Sequence, residues 1–339
     1  MRCRAAAALN PPTTLSRKAL MNIATRLFLL TALCCGLACA QSDYPNRAAR
    51  IIYPYPPGSN GDTITRIFAK AFTDALGQQF MVENRPGGAT NIGAELVARA
   101  APDGYTLFVT QKASHGINSS LFAKLPYDPL KDFAQIGLMA RTPNYLVTAP
   151  TLPVNSVREL VAYARANPGK LSFASVGNGS PHHLAGALFK SRANIDVVHV
   201  PYKGAAQATM ALMAGEVHFM FDSTAINAAK EGKLKVLAVA DSKRLASEPQ
   251  IPSMAEAGFA DVEVWGYFGL AVAAKTPEAV LDKLSAVMLD LSRREEHRKR
   301  LADMGMVASV ATRAETTAFI TGEIEKLGPV VKAAGARLE

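Results

Sequence analysis

Beyond Cys39 the 339-residue chain has no cysteine; all four (Cys3, Cys34, Cys35 and Cys39) lie in the first stretch. A mature chain that begins after them can form no disulfide and offers no thiolate as nucleophile or metal ligand. Acidic residues are missing from the same stretch. None precedes Asp43, whereas Arg2, Arg4, Arg17, Lys18 and Arg26 make it basic. Long apolar runs are missing throughout. The run Leu27 to Leu37 spans eleven residues, against the roughly 20 that a membrane helix requires. It closes on Ala38-Cys39-Ala40, an A-x-A pattern, so residues 1–40 read as a cleavable secretory signal peptide, with Met21 as an alternative start. That places the mature protein outside the cytoplasm. The leader carries five of the 37 basic residues and none of the 28 acidic ones, so cleavage lowers the net charge from +9 to +4. Such a surface makes no case for nucleic acid.

Several catalytic signatures are absent too. There is no H-E-x-x-H, no G-x-S-x-G and no G-x-G-x-x-G. The adjacent His182 and His183 would point about 100° apart on a helix and cannot readily share one ion, so no metal and no cofactor is expected. Ser180 is followed by Pro181, which removes an amide that an oxyanion hole would use. A secreted serine hydrolase using Ser180 with His183 or His115 is therefore the weaker alternative.

What is present is regular alternation. Strands are expected at Arg50–Tyr53, Gln79–Glu83, Thr106–Thr110, Gln135–Met139, Tyr145–Ala149, Leu171–Ala174, Val197–Val200, Phe219–Phe221, Lys235–Ala240 and Phe268–Ala273. Helical spacing separates many of them, as in Ile64-Phe68-Phe72-Leu76. Gly77 and Gly215 stand where helices should stop. From Pro277 the chain reads mostly helical, with the charge run Arg293–Arg300 as a solvated face. The class is α/β, with parallel sheets covered by helices on both faces. The mature length suits two lobes of roughly 100–200 residues. Proline clusters near 143–153 and an aromatic-glycine cluster near 262–268 suggest where the chain passes between them.

Two glycine-rich turns stand out. Pro56-Pro57-Gly58-Ser59-Asn60-Gly61-Asp62 follows the first strand, with Asp62 at or near a helix N-cap. Ser175-Val176-Gly177-Asn178-Gly179-Ser180-Pro181-His182-His183 follows the sixth. A turn entering a helix leaves amides free at the positive end of the helix dipole, which favours an anion. Taken singly, each is as readily a structural turn as a ligand loop. Ser114, Lys203, Gly204, Asp222 and Ser223 also follow strands, where parallel-sheet sites are usually built. A helix cap at Asp222 and a solvated side chain at Lys203 are the competing readings.

Together with Asn84–Gly93 and Lys124-Leu-Pro-Tyr-Asp-Pro-Leu-Lys-Asp132, these stretches make the mature chain resemble the periplasmic solute-binding proteins of tripartite tricarboxylate transporters, the TctC or Bug family. The resemblance implies a type II periplasmic binding-protein fold: two α/β lobes with a ligand cleft between them. It implies lobe 1 from 41–146 and 266–339, and lobe 2 from 147–265. It implies a non-enzymatic monomer that grips a small carboxylate for transporter subunits in the membrane, or, as another role, a ligand sensor. Gly58, Ser59, Asn60 and Asp62 would then form one grip and Ser175, Gly177, Gly179, Ser180 and His183 the other. Ser114, Lys203, Gly204, Asp222 and Ser223 would be further cleft contributors. Ser59 departs from the family pattern, which usually has a second glycine there.

Overall fold

The computed structural model describes residues 44–338; the signal peptide expected over 1–40 lies outside them. All ten expected strands form within Arg47–Leu338, because each is a short local run of β-branched and aromatic residues. They are β1 (Ala49–Tyr53), β2 (Phe80–Asn84), β3 (Thr106–Gln111), β4 (Phe133–Pro143), β5 (Tyr145–Thr148), β6 (Leu171–Ser175), β7 (Val197–Pro201), β8 (Phe219–Asp222), β9 (Lys235–Val239) and β10 (Trp265–Ala273). An eleventh, β11 (Val307–Ala308), is only two residues long and leaves no periodic signal.

The strands divide into two sheets, ordered β11-β4-β10-β3-β1-β2 and β7-β6-β8-β5-β9. Both are mixed, which corrects the expectation of parallel sheets. Strands β1, β2 and β3 run parallel, as do β6, β7 and β8. By contrast β10 is antiparallel to β3 and β4, and β5 is antiparallel to β8 and β9. The reason lies in the connections. Parallel neighbours need a crossover of a dozen or more residues, usually a helix. The chain instead leaves β4 at Pro143 and enters β5 in the other sheet after Asn144 alone.

It returns to the first sheet at β10, and the two crossings are stitched together. The Asn144 side-chain amide donates to the Val264 carbonyl at 3.2 Å. Ala240 N–H donates to Asn144 O at 2.8 Å, and Val264 N–H to Ala240 O at 2.9 Å.

In the second sheet, alternate residues face opposite cores, as a pleated strand requires. Leu146, Phe173, Phe219 and Phe221 pack with Leu160 and Phe189, of the helices Val157–Ala166 and Pro181–Ala193. Tyr145, Val147, Ala174 and Met220 pack with Ala208 and Leu212 of the helix Ala205–Ala214. The opening helix of the first sheet, Asn60–Leu76, buries Ile64, Phe68 and Phe72, one apolar stripe at three- and four-residue spacing. Gly77 and Gly215 end their helices in the left-handed region, as expected.

Parallel direction has a consequence for chemistry. The C-terminal ends of β1, β2 and β3 share one edge of the first sheet, and those of β6, β7 and β8 share one edge of the second.

Candidate functional site

At the first edge, the turn after β1 enters α1 (Asn60–Leu76) with Ser59, not Asp62, as N-cap. Ser59 Oγ accepts from Asp62 N–H at 3.2 Å and pairs with Tyr53 Oη at 2.8 Å. Ser59 thus turns its hydroxyl onto the protein. Asp62 sits three residues into the helix, where its buried carboxylate accepts from Gly58 N–H at 3.1 Å, from both Arg66 Nε and Nη2, and from Asn84 Nδ2 at 2.9 Å. Burial raises its pKa, but the Arg66, Asn84 and Gly58 bonds outweigh burial and hold it below the usual carboxylate range. Every Asp62 contact is internal: it organises the turn. Gly61 is required by close approach, since a Cβ there would lie 2.2 Å from Tyr53 Oη and 2.5 Å from Phe268 Cε1.

The second edge repeats this construction. The turn after β6 enters α2 (Pro181–Ala193) with Ser180 as N-cap and Pro181 in the first helical position. Ser180 Oγ accepts from His183 N–H at 3.2 Å, and His183 Nδ1 accepts from Gly179 N–H at 3.1 Å. In both turns the third helical residue therefore receives the amide of the glycine just before the cap. Ser175 Oγ takes Gly177 N–H at 3.1 Å and meets His199 Nε2 at 2.6 Å. The His183 and His199 rings stack at 3.9 Å between centroids. Burial lowers the pKa of both. His199 falls to about 4, first from burial and then from the neighbouring His183. Both rings are neutral at pH 7, and His183, accepting at Nδ1, carries its proton on Nε2.

Asp222 ends β8 and is buried. One oxygen accepts from Thr224 N–H, Thr224 Oγ1 and Ala225 N–H at 2.6–2.7 Å, and the other meets His182 Nε2 at 2.9 Å. Burial raises its pKa, but these bonds lower it further, so it is ionised. The reading of Asp222 as a cap for the following segment is thus correct in part; its other half ties the cap to the helix that leaves the second turn.

The remaining candidates divide. Lys203 is exposed, and its ammonium has no hydrogen bond or ion pair among the described residues. Gly204 caps the helix Ala205–Ala214 in an extended conformation, and Tyr202 N–H donates to Ser175 O at 2.8 Å, tying that turn to the second one. Ser114 lies in a single π-turn, Ala113–Ile117, wholly buried. Its hydroxyl bonds Gln111 and His115. Its side chain faces inward, not toward a cleft. His115, buried between Phe108 and Phe133, has its pKa lowered to about 3. No serine–histidine relay forms at Ser180, whose hydroxyl bonds the His183 backbone rather than its ring.

Asn60 and Ser223, from the two edges, line one cavity of about 1010 Å³. Gly179 faces Leu121 of the first-sheet half, where a Cβ would lie 2.6 Å from Leu121 Cδ1. At the two helix starts, the amides of Asn60, Gly61 and His182 have no partner among the described residues. His199 escaped the sequence reading, and His182 entered it only as half of an adjacent pair weighed for metal. The only available signal was that neighbours on a helix diverge, sending His183 toward β7 and His182 toward Asp222. Among the described residues no cluster of histidine, cysteine, aspartate and glutamate is placed to hold a metal, and no helix is long and apolar enough to cross a membrane.

Residues 64–336 match the family described as "Tripartite tricarboxylate transporter family receptor". Protein BugT of Bordetella pertussis is 31% identical over 318 residues, covering 92% of this chain and 97% of that one. The solved structure of R. palustris Rpa4515 with adipate superposes with a TM-score of 0.77 at 30% identity, covering 87% of this chain and all (100%) of that one. MatC from Rhodopseudomonas palustris, with bound malate, gives 0.72 at 31% identity over 85% of this chain and 100% of that one. The two-lobe periplasmic binding-protein fold is the one these structures share.

Proposed function

Because this chain belongs to the tripartite tricarboxylate transporter receptor family, and is a receptor rather than an enzyme, we propose that it captures a small carboxylate in the periplasm and presents it to membrane subunits of such a transporter. We divide it near 146 and 265 into two lobes that close on the ligand as a monomer. The observation that carries this reading is the paired construction of the two turns. Each cap, with its serine and its third helical residue, uses up side-chain polar groups and leaves backbone amides at the helix start without a partner among the described residues, at Asn60 and Gly61 in the first turn and at His182 in the second. Amides hold an anion without the desolvation cost of burying a counter-charge. The solved relatives bound to adipate and malate support the carboxylate class.

In this reading the free amides of Asn60 and Gly61 grip from one lobe, on a turn framed by Gly58, Ser59 and Asp62. The free amide of His182 grips from the other, on a turn framed by Ser175, Gly177, Gly179, Ser180 and His183, with Lys203, Gly204 and Ser223 beside it and Asp222 holding the frame. A ligand that touches both lobes favours the closed state by its differential affinity for it. Calorimetry of the mature protein against adipate, malate and other carboxylates is the test. Binding without turnover, weakened at least about tenfold by Gly179→Val, is the expected result. If no carboxylate binds, or if one is turned over, the reading falls.

A further inference from the structure

The cavity that begins at Asn60 is much larger than a four- or six-carbon di-acid fills. Its volume of about 1010 Å³ stands at the top of the range of roughly 300–1,000 Å³ that holds drug-sized ligands. Besides Asn60 its lining includes the apolar residues Tyr145, Ile226, Leu245, Trp265 and Met306, all but Leu245 buried, set among polar ones such as Thr142, Thr224 and Asn227. Trp265, fixed by the Arg141 guanidinium 4.3 Å over its ring, has a buried Nε1–H without a partner among the described residues.

The charged groups around the cavity do not ask for a second anion. Lys230 is paired with Glu248 at 2.7 Å, and Arg244 with Glu256 at 2.9 Å. Glu248 also accepts from Tyr145 Oη, so both of its oxygens are occupied. Arg298 faces Glu295 at 3.8 Å on the same helix. Of the four lining cations only Lys299, exposed at the rim, has no ion pair among the described residues, so the buried wall itself selects by shape and apolar contact.

We propose that the cavity holds the body of the ligand, and that the ligand is a carboxylate carrying a bulky apolar group, its acid at the Asn60 turn and its body against Tyr145 and Trp265. This rests on the receptor reading above and narrows it. An aromatic ring and an acyl chain share this chemistry, and the test separates them.

Trp265 is the only tryptophan in the sequence, so its emission reports directly on the cavity. The mature protein is titrated with 3-phenylpropionate, octanoate and succinate, followed by calorimetry and by tryptophan fluorescence. At least one bulky acid is expected to bind about tenfold or more tighter than succinate and to shift the Trp265 emission; whichever does so identifies the body. Ser247→Phe, at an exposed position on the cavity rim, fills the space without touching the hinge and is expected to collapse that preference. Trp265→Leu serves as a second variant, with its fold checked by circular dichroism. Succinate binding as tightly as the bulky acids, or a preference that survives Ser247→Phe, overturns the inference and leaves the receptor reading standing. If none of the three binds while adipate or malate does, the inference alone falls; if no carboxylate binds at all, both fall.

Discussion

The two glycine-rich turns share one plan and differ in the residue that completes it. Each has a serine cap, a glycine before it, and a third helical residue that takes back that glycine's amide. In the first turn that residue is Asp62, an anion balanced by Arg66. In the second it is His183, a neutral ring stacked on His199. A carboxylate accepts strongly but brings negative charge to a place proposed to bind an anion, so it needs a guanidinium beside it. A neutral imidazole accepts without that charge, at the cost of becoming sensitive to mild acid. The same backbone geometry is therefore reached by two electrostatic routes with different weaknesses.

The largest expected contrast is steric. Gly61→Ala drives a Cβ into the buried Tyr53 and Phe268 side chains and should cost about 2–3 kcal/mol. Gly177→Ala meets nothing within 4 Å and pays only for its φ of +127°, of order 1–2 kcal/mol. Urea unfolding of both variants measures the difference; equal losses would show that the first turn is not held by that contact.

The next contrast is in pH. His183 and His199 have folded pKa values below the ordinary 6.5. The unfolded chain therefore binds protons first, and stability is lost as pH falls below about 6.5, down to the folded value near 4 for His199. Asp62 is also depressed, but from a carboxylate's ordinary value, so its contribution survives until pH falls below about 4. Unfolding free energy compared at pH 7 and pH 5 should drop less in His183→Gln than in the parent. The same pH step in Asp62→Asn should match the parent.

The smallest contrast is between the caps. Ser180→Ala should cost about 1 kcal/mol, an ordinary cap loss. Ser59→Ala should cost more, because it also leaves Tyr53 Oη without its 2.8 Å partner. Thermal melts of both, with Tyr53→Phe as the reference, resolve the extra part: in the Tyr53→Phe background the two serine losses should converge.

Much of this was readable in advance, and the misreadings have common causes. Ten strands were legible because each depends on a run of a few residues, and Gly77 and Gly215 because a left-handed stop is a local property. The family resemblance put Asp62 in the first grip and Ser114 among the further cleft contributors, because a motif match carries positions and not side-chain directions. Whether such a side chain faces out or in depends on neighbours such as Gln111, Arg66 and Asn84, which chemistry alone does not rank.

Sequence by itself determined the family of the chain, its ten principal strands, and the two turns as helix entries, since these follow from local periodicity and residue type. Only the tertiary structure decided strand direction, the stitching of the crossings at Asn144, and the pairing of His182 with Asp222 and of His183 with His199. Those partners lie 40 and 16 residues apart in the chain. Nothing local selects one distant partner over another; packing does, when parallel strands bring their ends to one edge.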